Sequence, residues 1–309
     1  MGNVFYFDWE VSLIQWLQAN MGPVGEAMAK GISFIGSDTV MVLMVMVILF
    51  CYKKEAGKRC AYIIALGGLW FPMIKNIVLR IRPYMAHEGI KVLQKVDADA
   101  DAMDIVSQGY SFPSGHCVTS VAIYGGLARE VKKRWMWTVT IILVLLIGIS
   151  RIAVGVHYPT DVLAGWAVGL AAIGFGILLE KVKKDWVRSL ILAAVTVPGI
   201  FWCTTNDYFT FLGLMIAMVF TFPFEKRKVN FQDTRNPVAM ILRLAGAMAI
   251  YVVLNTVLKL PFSKKFLENG TLVSHLVRSA RYAIILFAVI GIYPMCFPLF
   301  EKVKIGKKG

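Results

Sequence analysis

Residues 135–180 read WMWTVTIILVLLIGISRIAVGVHYPTDVLAGWAVGLAAIGFGILLE, two long apolar runs joined by a short segment that holds Ser150, Arg151, His157 and Asp161. Each run approaches the ~18 to 20 apolar residues needed to cross roughly 30 Å of hydrocarbon. The pattern predicts two consecutive spanning helices whose polar residues gather at one shared end.

The rest of the chain extends that reading. Of 309 residues, 58% are hydrophobic and 17% charged, with mean hydropathy +0.65, which is too apolar for a soluble globular domain. The formal charge of +14 does not point to nucleic acid, because the basic residues sit in short blocks between apolar runs. Cys51, Cys60, Cys117, Cys203 and Cys296 are scattered and odd in number, so neither a disulfide framework nor a zinc site is indicated. The first ten residues are aromatic and acidic, without the basic n-region of a cleaved signal, so insertion is expected to depend on internal spans.

The expected class is all-α, a polytopic membrane helical bundle. A short interfacial helix over 11–20 and an amphipathic stretch over 24–35 precede nine spans, at 39–52, 61–80, 115–130, 135–154, 160–180, 186–203, 208–224, 237–260 and 271–300. Lys and Arg accumulate on the cytoplasmic side of membrane proteins. Lys53, Lys54, Lys58 and Arg59, then Lys132 to Arg134, the block 181–188, the block 225–235 and the tail with Lys302, Lys304, Lys307 and Lys308 all fall on alternate loops. Those loops are expected inside, and 83–113, 155–158, 204–207 and 261–270 outside. Lys259, Lys264 and Lys265 run against this parity.

The polar residues concentrate at the expected outer ends of the spans. Lys75 and Arg82-Pro83 end the second, Pro113-Ser114-Gly115-His116 opens the third, and Ser150-Arg151, His157 and Asp161 bracket the fourth and fifth. Packed together, they form a set suited to attack on a phosphate. Lys75, Arg82 and Arg151 would hold its oxygens by charge-assisted hydrogen bonds. Ser114 adds a hydroxyl, and the Gly115 amide opens a helix, where an anion is favoured. One imidazole can attack phosphorus while another protonates the leaving oxygen. Asp161, four residues after His157, shares its helical face and marks it as the nucleophile, leaving His116 as the acid and later the base.

Lys75-x6-Arg82-Pro83, Pro113-Ser114-Gly115-His116 and Ser150-Arg151-x5-His157-x3-Asp161 resemble the three motifs of the type 2 phosphatidic acid phosphatase, or lipid phosphate phosphatase, superfamily. The resemblance covers the first two thirds of the chain. It implies a six-helix core and metal-independent dephosphorylation through a phosphohistidine, with no cofactor. The expected division is then an N-terminal interfacial segment (1–37), a six-span phosphatase core (38–204) and a helical extension with three further spans (205–309).

Expected partners are the bilayer and a lipid phosphate, monoester or diphosphate, handled at the outer face of the plasma membrane; a homo-oligomer is compatible with the sequence. The length is also similar to that of glucose-6-phosphatases, which leaves a soluble sugar phosphate as an alternative, and a lipid-phosphate binder or transporter could use the same cations without chemistry. Vanadate-dependent haloperoxidases share the motifs on a soluble architecture, unlike this chain.

Single motif residues also have plain readings, as helix-end cations snorkelling to headgroups or Ser114 as a helix cap. His87 reads as a loop residue outside the motifs, and Arg243 as a cytoplasmic-side anchor. Asp97, Asp99, Asp101 and Asp104 alternate as in a calcium loop, but Ala102 and Gln108 stand where that loop needs Gly and Glu. His275, Arg278 and Arg281 recur at helical spacing near an expected outer end.

Overall fold

The structure, a computed structural model, describes residues 2–302. Lys304, Lys307 and Lys308 of the basic tail therefore lie outside the described residues. Among those described, regular structure is helical, with one isolated bridge between Asn3 and Arg80. Helix α1 (Asp8–Asn20) and α2 (Gly22–Ile35) lead into α3 (Asp38–Val47), α4 (Lys54–Val78) and α5, which starts as Gly115–Ser120 and continues to Val131. Then follow α6 (Arg134–Ala153), α7 (Pro159–Glu180), α8 (Asp185–Thr196), α9 (Asn206–Phe224), α10 (Pro237–Val257) and α11, which starts as Leu272–Leu286 and continues through turns to Glu301.

Helices occupy all nine places where spans were expected, but among the described residues only six are long and apolar enough to cross a bilayer by themselves: those built on α4, α6, α7, α9, α10 and α11. A seventh arises if α2 and α3 count as one span bent by 47°. The expected amphipathic stretch and first span are thus two helices that meet at a 47° bend. Of the other two, 115–131 is short because the Ser114 amide donates to the Asp161 carbonyl at 3.0 Å, which starts the helix inside protein instead of in lipid. The apolar stretch Trp186–Phe201 ends early where Pro198 sits in a 3-10 turn, Val197–Phe201.

The basic block expected as an inner loop is corrected too. Lys54, Lys58 and Arg59 belong to the first turns of α4, because each finds a carboxylate there: Glu225 takes both lysines at 3.1 and 2.7 Å, and Glu130 takes Arg59 at 2.6 Å. With carboxylate partners, these cations do not need to stay in an open loop.

Glycines bring the helices close. A Cβ on Gly165 of α7 would lie 2.7 Å from both the Ser114 carbonyl and Cys117, and one on Gly169 would lie 2.6 Å from Val121. Small residues at i and i+4 therefore let α7 press against the turn that opens α5. The extension is packed equally tightly. Gly68 of α4 seats the Phe211 ring of α9, and Gly213 of α9 meets the Ser279 backbone of α11. Residues of α3, α4, α5, α9 and α11 share one apolar core, while Ile14, Tyr84, Cys117, Val154 and Tyr158 anchor a smaller one beneath the motif residues.

Candidate active site

Backbone hydrogen bonds knit the three motif segments before any ligand enters. The Ser111 amide donates to the Arg80 carbonyl at 2.7 Å, and the Ser114 amide donates to that of Asp161. Arg82 reaches across all three, its guanidinium donating to the carbonyls of Gln108, Gly109 and Val156 at 2.8 to 3.0 Å. That holds the end of α4, the approach to α5 and the α6–α7 junction in one register.

Lys75, Arg82 and Arg151 are all buried, at 6%, 2% and 2% exposure. They lie within electrostatic reach of one another and of His116 and His157. Among the described residues none of the three forms an ion pair. Lys75 rests its ammonium 5.2 Å over the Phe71 ring, and Arg151 donates to the Ser33 hydroxyl while its Nε has no partner. Ser114 occupies the N-cap position of α5 but makes no capping bond, and its buried hydroxyl has only the weak Cys117 thiol beside it. Buried cations left without carboxylates are costly unless an anion completes them.

His157 turns Nδ1 toward Asp161, 3.4 Å from Oδ2, which leaves Nε2 as the free ring nitrogen. Burial above all, then the charges of Arg82, Arg151, Lys75 and His116, hold His157 well below its ordinary value, so the ring is a neutral base. Asp161 is itself fixed: Oδ1 accepts from Arg80 at 2.7 Å and Oδ2 from the Tyr158 amide at 2.8 Å. A gap of 3.4 Å is long for a hydrogen bond and is the kind that tightens once the ring becomes cationic. His116 stands across the cluster with its Cδ2 3.3 Å from where a Gly36 Cβ would be, so the bend between α2 and α3 abuts it.

Sequence reasoning missed the support behind Asp161. Arg80 is fully buried, bridging Asp161 and Glu10 at 2.7 and 2.9 Å, with its guanidinium 3.8 Å over Tyr158 and 4.5 Å over Phe5. Glu10 also accepts from the Thr160 amide and hydroxyl. Burial alone would raise the Glu10 carboxyl, but the bonds from Thr160 and Phe7 and the Arg80 charge outweigh it and hold it below its usual value. The available signal was an acidic residue four positions before Ile14 on an otherwise apolar face of α1. Ser33, the partner of Arg151, had no signal at all.

The remaining polar features have structural partners. Asp97, Asp101 and Asp104 accept from nearby backbone amides, and the Gln108 side chain ties that loop together. His87 bonds the Tyr158 hydroxyl at 3.0 Å. Arg243 is not an interfacial anchor: it is 2% exposed, pairs with Glu301 at 2.9 Å and lies over Phe297, because that carboxylate folds back onto it. His275 stacks on Phe209, and Arg281 reaches Asn255.

The chain matches the model of the PAP2 superfamily over residues 56–185 and that of the PAP2 superfamily phosphatase, transmembrane extension, over residues 209–305. It is 26% identical to phosphatidylglycerophosphatase B of Bacillus subtilis over 174 residues, 50% of this chain and 75% of that protein. It is 33% identical to undecaprenyl-diphosphatase of Sulfolobus acidocaldarius over 95 residues, 31% of this chain and 41% of that one. Decaprenylphosphoryl-5-phosphoribose phosphatase of Mycobacterium tuberculosis is 32% identical over 159 residues, 48% of this chain and 76% of the relative. The chain belongs to the PAP2 superfamily, as a multi-pass membrane phosphatase carrying the family's transmembrane extension.

Proposed function

We propose that this PAP2-superfamily member removes phosphate from a lipid phosphomonoester or diphosphate through a phosphohistidine on His157, at the extracytoplasmic face. The observation that carries the reading is three buried cations, Lys75, Arg82 and Arg151, with no carboxylate partner, gathered around a neutral His157 that Asp161 orients. Phosphoryl transfer needs little more than such positioning and charge stabilisation.

In the first step His157 Nε2 forms a bond to phosphorus, the bond to the leaving oxygen breaks, and His116 supplies that oxygen with a proton. Lys75, Arg82, Arg151, the Ser114 hydroxyl and the Gly115 amide stabilise the equatorial oxygens. Asp161, its other oxygen held by Arg80, stabilises the imidazolium. In the second step His116 takes a proton from water, whose oxygen attacks phosphorus and frees His157. No metal enters either step, so chelators should leave the rate unchanged.

A lipid substrate is supported by the names of the three relatives, each of which is a phosphatase of a lipid-linked phosphate. The outward face is supported by the charge parity of the loops: the cluster lies at the ends opposite Lys54, Arg59, Arg129 and Arg243. The test is phosphate release by the purified protein from a panel of lipid phosphates and one sugar phosphate, alongside His157→Ala. Release from a lipid that vanishes in the variant is expected. Release that persists in the variant, or from the sugar phosphate alone, would overturn the reading.

A further inference from the structure

A cavity of about 290 Å³ lies between the catalytic core and the extension, walled by α3 and α4 on one side and by α9, α10 and α11 on the other. Its body is apolar, with Val42, Leu49, Ala65, Leu214, Met218 and Val289 among its walls. Its polar residues, Asp38, Asp207, Arg278, Tyr251 and Tyr282, fall toward the same ends of these helices as the catalytic cluster. Along α3 the lining runs from Asp38 to Leu49, and along α9 from Asp207 to Met218. Eleven residues of helix rise about 16 Å, roughly half the ~30 Å hydrocarbon thickness.

The cavity adjoins the catalytic cluster in two places. Phe71 carries the Lys75 ammonium over its ring at 5.2 Å and meets Phe211, a wall residue, edge-on with centroids 6.4 Å apart. On the other side, a Cβ on Gly36 would lie 3.3 Å from His116 Cδ2, and two residues later Asp38 stands at the mouth. We propose that this cavity receives a hydrocarbon chain of the lipid phosphate while its phosphate lies against Lys75 and His157, so that the extension selects substrates by their chains. The inference rests on the lipid phosphatase reading above.

An apolar cavity is a poor site for water, and at this depth the apolar material at hand is a lipid chain. The depth matches one leaflet. The mouth carries two carboxylates, Asp38 and Asp207, against one cation, Arg278, so a phosphate is better held by the three cations without carboxylate partners nearby. Because a chain in the bilayer is already in an apolar medium, burial itself adds little affinity. Selectivity must come from fit, as in other packed membrane contacts.

The test uses the full chain in mixed micelles, comparing long-chain and short-chain phosphate esters at equal mole fraction. Leu214→Trp and Ala65→Leu fill the cavity without touching the catalytic residues. The ratio of kcat/KM for long over short chains should fall by about tenfold, while short-chain turnover stays at the wild-type level. An unchanged ratio in either folded variant overturns the proposal.

A second readout needs neither turnover nor a variant. A lipid phosphate with a diazirine at the end of its chain should label Met218 or Val289 in the wild-type protein, and excess unlabelled lipid phosphate should compete. Label confined to the exposed, outward-facing Phe220 and Ile284 overturns the cavity as the chain site. Competed cavity label without phosphate release would sink the hydrolysis reading and keep the site; a structural lipid would give label without altered selectivity. Phosphate release with no cavity label would do the reverse of the first.

Discussion

The two ends of the bundle treat buried charge in opposite ways. At the end read as cytoplasmic, buried and half-buried cations meet carboxylates: Lys54 and Lys58 share Glu225, Arg59 pairs with Glu130, Arg129 with Glu180, and Arg243 with Glu301. At the end that carries the motif residues, Lys75, Arg82 and Arg151 are buried and, among the described residues, form no ion pair, while Asp161 is already held by Arg80. Paired charges at one end clamp helices together. Unpaired charges at the other create a site that an anion completes.

That contrast can be broken by exchanging the outcomes. Removing a cation from the open end should cost turnover and little stability. Arg151→Gln is expected to lower kcat by about 10²–10³-fold, the usual loss for one transition-state donor, with an unchanged apparent Tm. A collapse of Tm with intact kcat would place Arg151 among the clamps. Glu225→Gln should do the opposite, since it takes the carboxylate from Lys54 and leaves Lys58 only the exposed Glu55. About 3–5 kcal/mol of stability should be lost, read as a lower apparent Tm, while KM for a lipid phosphate stays constant.

Arg80 sharpens the comparison because it stands between the two kinds. It is a paired cation at the end that carries the motif residues, and in the proposed mechanism it acts only through Asp161. Arg80→Lys keeps the charge but not the fork that spans Glu10, Thr160 and Asp161, so kcat should fall about 10-fold with KM unchanged. A rise in KM instead would mean that Arg80 binds substrate directly.

The smallest effect concerns protonation. Burial and the unpaired cations hold His157 below its ordinary value, so its neutral form persists as pH falls through about 6.5 and is lost only further down. Diethylpyrocarbonate attacks neutral imidazole. Vanadate-protectable inactivation should therefore keep its rate between about pH 7 and pH 6, whereas a free imidazole would slow there. Slowing with an ordinary imidazole profile would show that the three cations do not act on His157 as described.

The motif residues were legible because their chemistry is visible one side chain at a time: a histidine, a carboxylate four residues on, cations beside prolines and glycines. What supports them was not. Arg80 lies two positions from Arg82 and differs from it in its partners, Glu10 and Asp161, which are 70 and 81 residues away. Lys54 and Arg59 looked like loop residues because their carboxylates, Glu225 and Glu130, sit on other helices. Arg243 was misread for the same reason, through Glu301. Hydropathy located the helices, yet span number depends on where each helix ends, and Ser114 and Pro198 set those ends through tertiary hydrogen bonding and chain geometry.

Phosphoryl transfer to His157 is the task assigned to the cations that lack carboxylate partners. It is tested most directly by trapping the intermediate: His116→Ala, mixed with a phosphate ester of an activated leaving group, quenched and digested for mass spectrometry. Without its acid the variant should still form the intermediate with a good leaving group and hydrolyse it slowly. The account predicts an acid-labile, alkali-stable phosphate on His157. Turnover with no phosphoenzyme, or phosphate on a different residue, would contradict it.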